Sequence, residues 1–398
     1  MRIALVVPYY DPRLGGDVAG ALWRFPTVPE LAGALAARGH SVAAFHLARR
    51  SGTATWAGVP HRFVATGPLR RSVARAVWRR VPRFGSPYFE PAVELAAQAV
   101  AWRPDVVHVF GLTVDGNLAL VARFAAAAGV PIVVHFHGGV PAEDRWTRTV
   151  LRATLRRVAR VLFTEPEQAA PWRQAGLLRP EQIAIVTETS TRMSPVRDPA
   201  SAARLPGHPS CVAIGRLHPL KDYPTLFAAF ARVVQELPEA RLHLFYGSEA
   251  NPCRLPVLVQ AVPELSKRVV FHGYTKSAGV AAALGGADIF VQASRREWSS
   301  LSVLEALAVG CPAVLSDIPS FRALSGDGRC ARLVAVGDAA AFADAIIGLA
   351  RSPAARAHLA AAGKGWFESR LSFEAIARDL EGVYRSLEPI TAGQRPAG

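Results

Sequence analysis

The stretch A-D-I-F-V-Q-A-S-R-R-E-W-S-S-L-S-V-L-E-A-L-A-V-G-C-P-A-V-L-S, Ala287 to Ser316, reads as strand, loop, helix, strand. Asp288–Gln292 is short and apolar, as central parallel strands are. Leu301 to Val309 carries the apolar density of a buried helix, and Ala313–Ser316 is a second short strand. Glu297 and Glu305 stand eight positions apart around the expected helix start. On one continuous helix they would lie about 80° and about 12 Å apart and would not converge. The spacing therefore predicts a helix that begins between them. Ser302-Val-Leu-Glu305 fits a capping box, and Ser299 or Ser300 could cap instead. Glu297 then lies in the loop after the strand. The free N–H groups and positive end of the helix suit a phosphate. The alternative is a capped helix with one incidental surface acid.

The same alternation runs outward in both directions. A first block has strands at Arg2–Val7, Ser41–His46, Val106–Val109, Pro131–His135, Arg160–Thr164 and Ile183–Thr187, with helices at Thr27–Arg38 and Leu118–Ala128. A second block has strands at Ser210–Ile214, Arg241–Tyr246, Val269–His272, Asp288–Gln292 and Ala313–Ser316. Its helices are expected at Tyr223–Glu236, Lys276–Leu284, Leu301–Val309, Asp338–Arg351, Pro353–Ala362 and Phe373–Leu387. Strand–helix order repeated in two blocks predicts an α/β protein of two doubly wound, Rossmann-like domains. The expected boundaries are an N-terminal domain over 1–196, a Pro- and Ala-rich linker over 197–209, and a C-terminal domain over 210–370. A C-terminal helix and tail, 371–398, can pack back on the first domain. Ligands of such sheets bind at the carboxyl ends of the strands, so the chemistry is sought in the loops that follow them.

At 398 residues the chain suits two domains, and half of its residues are apolar. The net charge of +15 is uneven. Residues 1–200 hold 25 Arg and no Lys against 14 acids, whereas residues 201–398 hold 21 Lys and Arg against 17 acids. The basic first half suits an anionic partner or is simply a solvated surface. Cys211, Cys253, Cys311 and Cys330 show no paired spacing, which argues against a disulfide framework or a zinc site. The N-terminal apolar run stops at Pro8 and lacks the form of a signal peptide, and no run of 18 apolar residues occurs. A cytoplasmic protein is expected, touching a membrane only peripherally, at its inner face.

Three further loops and two basic stretches carry candidate residues. In Gly215-Arg216-Leu217-His218-Pro219-Leu220-Lys221-Asp222, Gly215 lets the chain turn, and Arg216 and Lys221 can clamp a diphosphate. A solvated loop is the alternative. Gly15-Gly16 follows the first strand without the dinucleotide fingerprint, and is either a close-approach point or a simple turn. In His135-Phe136-His137-Gly138-Gly139, His137 is placed to reach a ligand, whereas His135 packs in the strand. Arg70, Arg71, Arg75, Arg79, Arg80 and Arg83, and the similar stretch Arg145 to Arg160, form basic amphipathic patterns that suit anionic lipid or a solvated face. With only Trp78 and Trp146 among them, the arginines lack a series of interleaved aromatic platforms for base stacking, so nucleic acid is not an expected partner.

Together these features resemble retaining glycosyltransferases of the GT-B fold, in the large family 4 grouping. The carriers are Glu297-x7-Glu305-Ala306-Leu307-Ala308 with Gly310-Cys311-Pro312; Gly215-Arg216 with Lys221-Asp222; Val270-Phe271-His272-Gly273-Tyr274; Ala287-Asp288-Ile289-Phe290-Val291 with Ser294; and Gly15-Gly16 with Gly39-His40. The resemblance implies two Rossmann-like domains facing across a cleft and a nucleotide-diphosphate sugar as donor substrate, with no further cofactor and no metal. It gives Glu297 the sugar hydroxyls, Glu305 the ribose, and Arg216 and Lys221 the diphosphate. Backbone amides at Ser300 and Leu301 would support the phosphates, Gly273 and Tyr274 would lie near the base, Gly16 would approach the donor phosphate or acceptor, and His137 would contact the donor sugar. The implied acceptor is a glycan, a lipid-linked acceptor or a small molecule. Two readings compete with it: an inert nucleotide- or membrane-binding scaffold, and a sugar phosphorylase of the same fold. The chain departs from the family where Trp298-Ser299-Ser300 replaces the usual Gly-Phe-Gly, and where Thr187-Glu188-Thr189 replaces the common Asn-Gly-Val-Asp.

Overall fold

The computed structural model describes residues 1–9, 22, 27–70, 72–73, 90–112, 116–187, 189, 203–246, 265–275 and 277–387. Gly15, Gly16, the arginines at 71, 75, 79, 80 and 83, and the first six linker residues lie outside them. In chain order the elements are β1 (Arg2–Val7), α1 (Thr27–Ala37), β2 (Ser41–Ala48), β3 (Gly52–Trp56), β4 (Val59–Ala65), α2 (Val93–Ala101), β5 (Val106–Phe110), α3 (Asn117–Ala127), β6 (Ile132–His135), α4 (Arg145–Leu155), β7 (Arg160–Phe163), α5 (Pro166–Gln174) and β8 (Ile183–Ile185). There follow β9 (Ser210–Ile214), α6 (Tyr223–Glu236), β10 (Arg241–Phe245), β11 (Val269–Gly273), α7 (Ser277–Gly285), β12 (Ile289–Gln292), α8 (Leu301–Val309), β13 (Ala313–Ser316), α9 (Pro319–Ser325), β14 (Arg332–Val334), α10 (Ala339–Arg351), α11 (Pro353–Trp366) and α12 (Phe373–Arg385). Contacts divide the chain into two compact units. The first comprises Met1–Glu188 and the segment from Phe373 on, and the second Thr189–Ser372.

The first unit is built on an eight-stranded sheet of order β3-β4-β2-β1-β5-β6-β7-β8. All pairings are parallel except β3 with β4. Apart from exposed Arg2, its central strands β1, β5 and β6 are buried, which explains their near-continuous apolar sequence. The β3–β4 hairpin was not among the sequence expectations. It turns through Ala57 and Gly58, both at positive φ (47° and 79°), so a two-residue reversal forms without the Asn-Gly or Asp-Gly signal. Buried Asn117 fixes the carboxyl end of β1, because its Nδ2 donates to the Pro8 carbonyl at 2.7 Å and to the Glu90 carbonyl at 3.0 Å.

Helix α12 completes this unit. Phe373, Ile376, Ala377, Leu380 and Tyr384 join the core formed by β1, α1 and β5. Buried Glu381 bonds Arg38, whose Nε donates at 2.9 Å, and also pairs with His40 and Arg385. The Tyr384 hydroxyl lies 2.6 Å from His108 Nδ1.

The second unit holds a six-stranded, fully parallel sheet of order β11-β10-β9-β12-β13-β14. Numbered within the unit this is 3-2-1-4-5-6, the doubly wound order whose switch point lies between β9 and β12. The loops leaving those two strands are therefore neighbours at the ligand-binding edge. One core cluster packs α6 and α10 on the sheet. The other packs α7, α8 and α9 on it. Helix α8 has the bounds its sequence predicts and ends at Gly310 in the left-handed region (φ 75°).

Two outcomes test the packing of the first unit. Leu380, fully buried on α12, makes Leu380→Ala cost about 2–5 kcal/mol in denaturant unfolding of that unit. A loss under about 0.5 kcal/mol would contradict the docking of α12. Burial depresses His46 to about 3, His61 to about 4 and His108 to about 3, from an ordinary value of 6.5. Unfolding then takes up protons below the ordinary value, so stability is full above about 6.5 and falls as pH drops from there towards 4. Denaturation series between pH 7.5 and 5 check this, and a flat profile would refute the neutral buried rings.

Candidate functional site

The site of the second unit begins with β9 and β12, adjacent parallel strands that pair Ile289 with Cys211 and Phe290 with Val212. The loop after β9 runs through Gly215 and Arg216, makes a single 3-10 turn at Pro219–Lys221, and reaches α6 through Asp222 in the left-handed region (φ 48°). That curl returns Lys221 across Gly215. A Cβ on Gly215 would sit 2.8 Å from Lys221 Cε and 3.1 Å from its Nζ, so glycine is what lets the lysine stem lie there. A buried carboxylate, Asp222, takes an ion pair from Arg295 Nε at 2.9 Å. The backbone N–H of Arg295 also donates to the Leu220 carbonyl at 2.8 Å. The two loops are thus tied together by both backbone and charge.

Glu297 comes from the loop after β12. Its Oε1 lies 2.6 Å from Lys221 Nζ, and the two side chains are only 14% and 15% exposed. The same oxygen accepts from Ser294 Oγ at 2.8 Å and from Gln292 Nε2 at 3.1 Å. Tyr223 packs against the loop after β9, with its hydroxyl near the Gly215 and Arg216 carbonyls. Burial, and then the charge of Glu297, push the Tyr223 phenol well above its ordinary value.

The start of α8 differs from the capping-box expectation. Ser300 occupies the N-cap position, with extended φ and ψ, and its side chain makes no capping bond. Ser302 lies inside the first turn, where its hydroxyl donates to Gln292 Oε1 at 2.8 Å. The hydroxyls expected to cap the helix are drawn instead to a glutamine side chain on the preceding strand. The first backbone N–H groups of α8 are left without a side-chain cap, at a helix end beside Glu297. Glu305 is buried in the second turn, and Leu304 and Leu307 pack into the core.

The predicted residues therefore group unevenly. Gly215, Lys221, Glu297 and Ser300 form one connected patch, with Leu301 at the exposed start of α8. Arg216 is exposed on the same loop as Lys221. Gly273 (φ 65°) ends β11, two strands away from β9, and Tyr274, 71% exposed, follows it. His137 belongs to the first unit, exposed just beyond β6, and stacks on His135 at 5.1 Å and on Phe110 at 6.0 Å. His135 is buried in its strand, as its sequence position suggests. Gly16 lies outside the described residues. Sequence reasoning missed Gln292 and the Asp222–Arg295 pair, and gave Ser302 a capping role where the structure gives it Gln292 as partner. The signal for Gln292 was a polar residue closing an otherwise apolar strand.

The buried thiols are not part of this patch. Burial pushes Cys311 up to about 12 and Cys330 up to about 11, which suppresses the thiolate.

The Gly215–Lys221 contact gives a direct expectation. In Gly215→Ala the added methyl takes the place of the lysine stem and pushes the Lys221 charge out of the site, while only the end of a flexible side chain has to move. Thermal stability should change little, and affinity for a nucleoside diphosphate should fall on the order of tenfold, the scale of one charge-assisted contact. Calorimetric titration of the variant checks this; unchanged affinity would show that the placement of Lys221 is immaterial.

Comparison with known proteins accords with this geometry. Residues 208–352 match the family model described as glycosyl transferases group 1, and residues 26–189 match the glycosyl transferase 4-like domain. The chain is 28% identical over 407 residues to the phosphatidyl-myo-inositol mannosyltransferase of Mycobacterium tuberculosis, covering 97% of each. Among solved structures it is similar to the sucrose-phosphate synthase of Thermosynechococcus elongatus, with TM-score 0.67 and 22% identity over 97% of this chain and 98% of that one. It is also similar to Anabaena HepE in complex with UDP-glucose, with TM-score 0.64 and 17% identity over 97% and 100% of the two chains. Both matched halves, the full-length relative and the paired Rossmann-like units lead to one conclusion: the chain belongs to the group 1 glycosyltransferases, family 4, of the GT-B fold.

Proposed function

We propose that this glycosyltransferase takes a hexose from a UDP- or GDP-linked donor and places it, with retention of anomeric configuration, on a hydroxyl of a glycan, lipid-linked or small-molecule acceptor. The observation that carries the reading is the 2.6 Å Lys221–Glu297 pair beside the uncapped start of α8, at the switch point of the sheet. A diphosphate at that helix end meets backbone N–H groups and the positive end of the dipole. Lys221 and Arg216 add positive charge on the side of the β9 loop. Glu297 then faces the sugar hydroxyls, Glu305 the ribose, and Gly273 and Tyr274 the base. The same reading makes His137 a hydrogen-bonding group for the donor sugar.

The chemistry needs little more than placed charge. As the bond from the anomeric carbon to the diphosphate oxygen breaks, negative charge grows on the leaving group, where the two cations and the helix end stabilise it. The acceptor oxygen bonds the anomeric carbon from the same face, and its proton passes to the departing phosphate oxygen. No protein nucleophile or metal ion enters this scheme.

The mannosyltransferase relative acts, by its name, on a phosphatidyl-inositol lipid, which favours a lipid-linked acceptor here. Helix α4 supports peripheral contact with an anionic membrane at the cytoplasmic face. It exposes Arg145, Arg152 and Arg156 on one side, with Trp146, 56% exposed, beside them. Among the described residues, no helix is long and apolar enough to cross a membrane.

Nucleotide release from GDP-mannose, UDP-glucose and related donors tests the proposal and separates it from an inert scaffold. A phosphorylase of the same fold would instead turn over a sugar phosphate. Glu297→Ala and Arg216→Ala should each lower turnover on the order of 10²-fold or more, as expected when transition-state charge loses a partner. Full turnover in Arg216→Ala would remove that residue from the diphosphate site. Binding of no nucleotide sugar by calorimetry would favour the scaffold.

A further inference from the structure

Gln292 ends β12, is 3% exposed, and reaches four polar side chains between Ser294 and Ser302. Its Nε2 lies 3.1 Å from Glu297 Oε1, 3.2 Å from Ser294 Oγ and 3.2 Å from Ser300 Oγ. Its Oε1 accepts from Ser302 Oγ at 2.8 Å. Ser300 and Ser302 hydroxyl oxygens are 3.1 Å apart.

The hydrogens can be followed around this cluster. The Ser302 proton goes to Gln292 Oε1, so in the 3.1 Å contact between the serines Ser300 is the donor, with Gln292 Oε1 as its longer second acceptor at 3.5 Å. Ser300 Oγ is then free to accept one Gln292 N–H. The other N–H points at Glu297 Oε1, with Ser294 Oγ close to it, and Ser294 spends its own proton on Glu297. Glu297 Oε1 thus receives Lys221, Ser294 and Gln292, which fills that oxygen. All three donors meet Oε1, so Oε2 is the oxygen that keeps its acceptor capacity for a ligand.

We propose that Gln292 is a positioning residue, whose amide locks the Glu297 carboxylate to the first turn of α8 and so presents Oε2 to the donor sugar. The proposal rests on the reading of Glu297 as the sugar-binding acid. The amide does something a hydroxyl or a carboxylate in its place would not: it donates to the acid and accepts from the helix in one rigid plane. The sugar-binding acid and the phosphate-binding helix end, which come from a loop and a helix, then move as one body. A buried network of this kind is valuable only when every member is satisfied.

The test is a double-mutant cycle between Gln292→Leu and Glu297→Ala, read as nucleotide release from GDP-mannose and from UDP-glucose. Gln292→Leu alone should lower kcat about 10- to 100-fold, the scale of a small misplacement of an aligned group, with KM for the donor changed less than about threefold. In the Glu297→Ala background the same substitution should cost under about twofold, because there is no carboxylate left to orient. Equal losses in both backgrounds would reduce Gln292 to a packing role and overturn the proposal. Ser302→Ala, which cuts only the Oε1 anchor, should reproduce a smaller kcat loss in a protein of near wild-type stability; wild-type kcat in Ser302→Ala would also count against it. Wild-type release that Gln292→Leu leaves unchanged overturns the proposal alone. Wild-type protein that releases nucleotide from neither donor overturns the reading of the site together with it.

Discussion

The second unit is organised around one ion pair at the edge of a parallel sheet, Lys221 Nζ to Glu297 Oε1 at 2.6 Å. The partners are 76 residues apart in sequence and meet because the sheet reverses its strand order between β9 and β12. Each loop leaves its strand at the same edge, so a lysine after one strand and a glutamate after the other need only short reaches. Much of the local geometry follows from keeping that contact. Gly215 must lack a side chain, Asp222 must turn through the left-handed region, and Arg295 must hold the two loops together.

The pair also fixes the electrostatics of the helix end next to it. A lysine that is already satisfied by a carboxylate is a weaker anion site than a free one, and Arg216, exposed on the same loop, is the more available cation. The start of α8 compensates, because its first N–H groups meet no side-chain cap and the serines nearby are turned to Gln292. The uncapped end costs helix stability and, on the proposed reading, leaves a place for a phosphate. Sites often break a local rule of this kind, and the rest of the helix offsets it here with nearly complete burial. On the proposed reading, transfer needs no reactive side chain, only a leaving group held where its growing charge is stabilised.

Legibility in the sequence followed burial. Strands β9 and β13 and helices α6 and α8 have the bounds that their apolar runs and turn residues suggest, because central elements of a parallel sheet carry little besides core side chains. The β3–β4 hairpin escaped because β3 alternates only half-buried residues and its turn is Ala57-Gly58. Strand β14, three residues long with one of them buried, escaped for lack of length. At the site, Arg216, Lys221, Glu297 and Glu305 could be named from loop position and from the pattern they share with a family. The capping of α8 could not, since Ser302 is claimed by a side chain ten residues upstream, a tertiary contact that no local spacing encodes. Gln292 was hidden for the same reason: a lone glutamine after Ile289-Phe290-Val291 looks like the end of a strand.

The central claim is that the loop after β9 and the start of α8 hold a diphosphate. A crystal structure of the chain with GDP, and a second with UDP, tests it most directly. The account places the terminal phosphate oxygens about 3 Å from the backbone N–H groups of the first turn of α8, with Arg216 and Lys221 turned towards them. A nucleotide seated at any other strand end, with the Lys221–Glu297 pair and the start of α8 untouched, would contradict it.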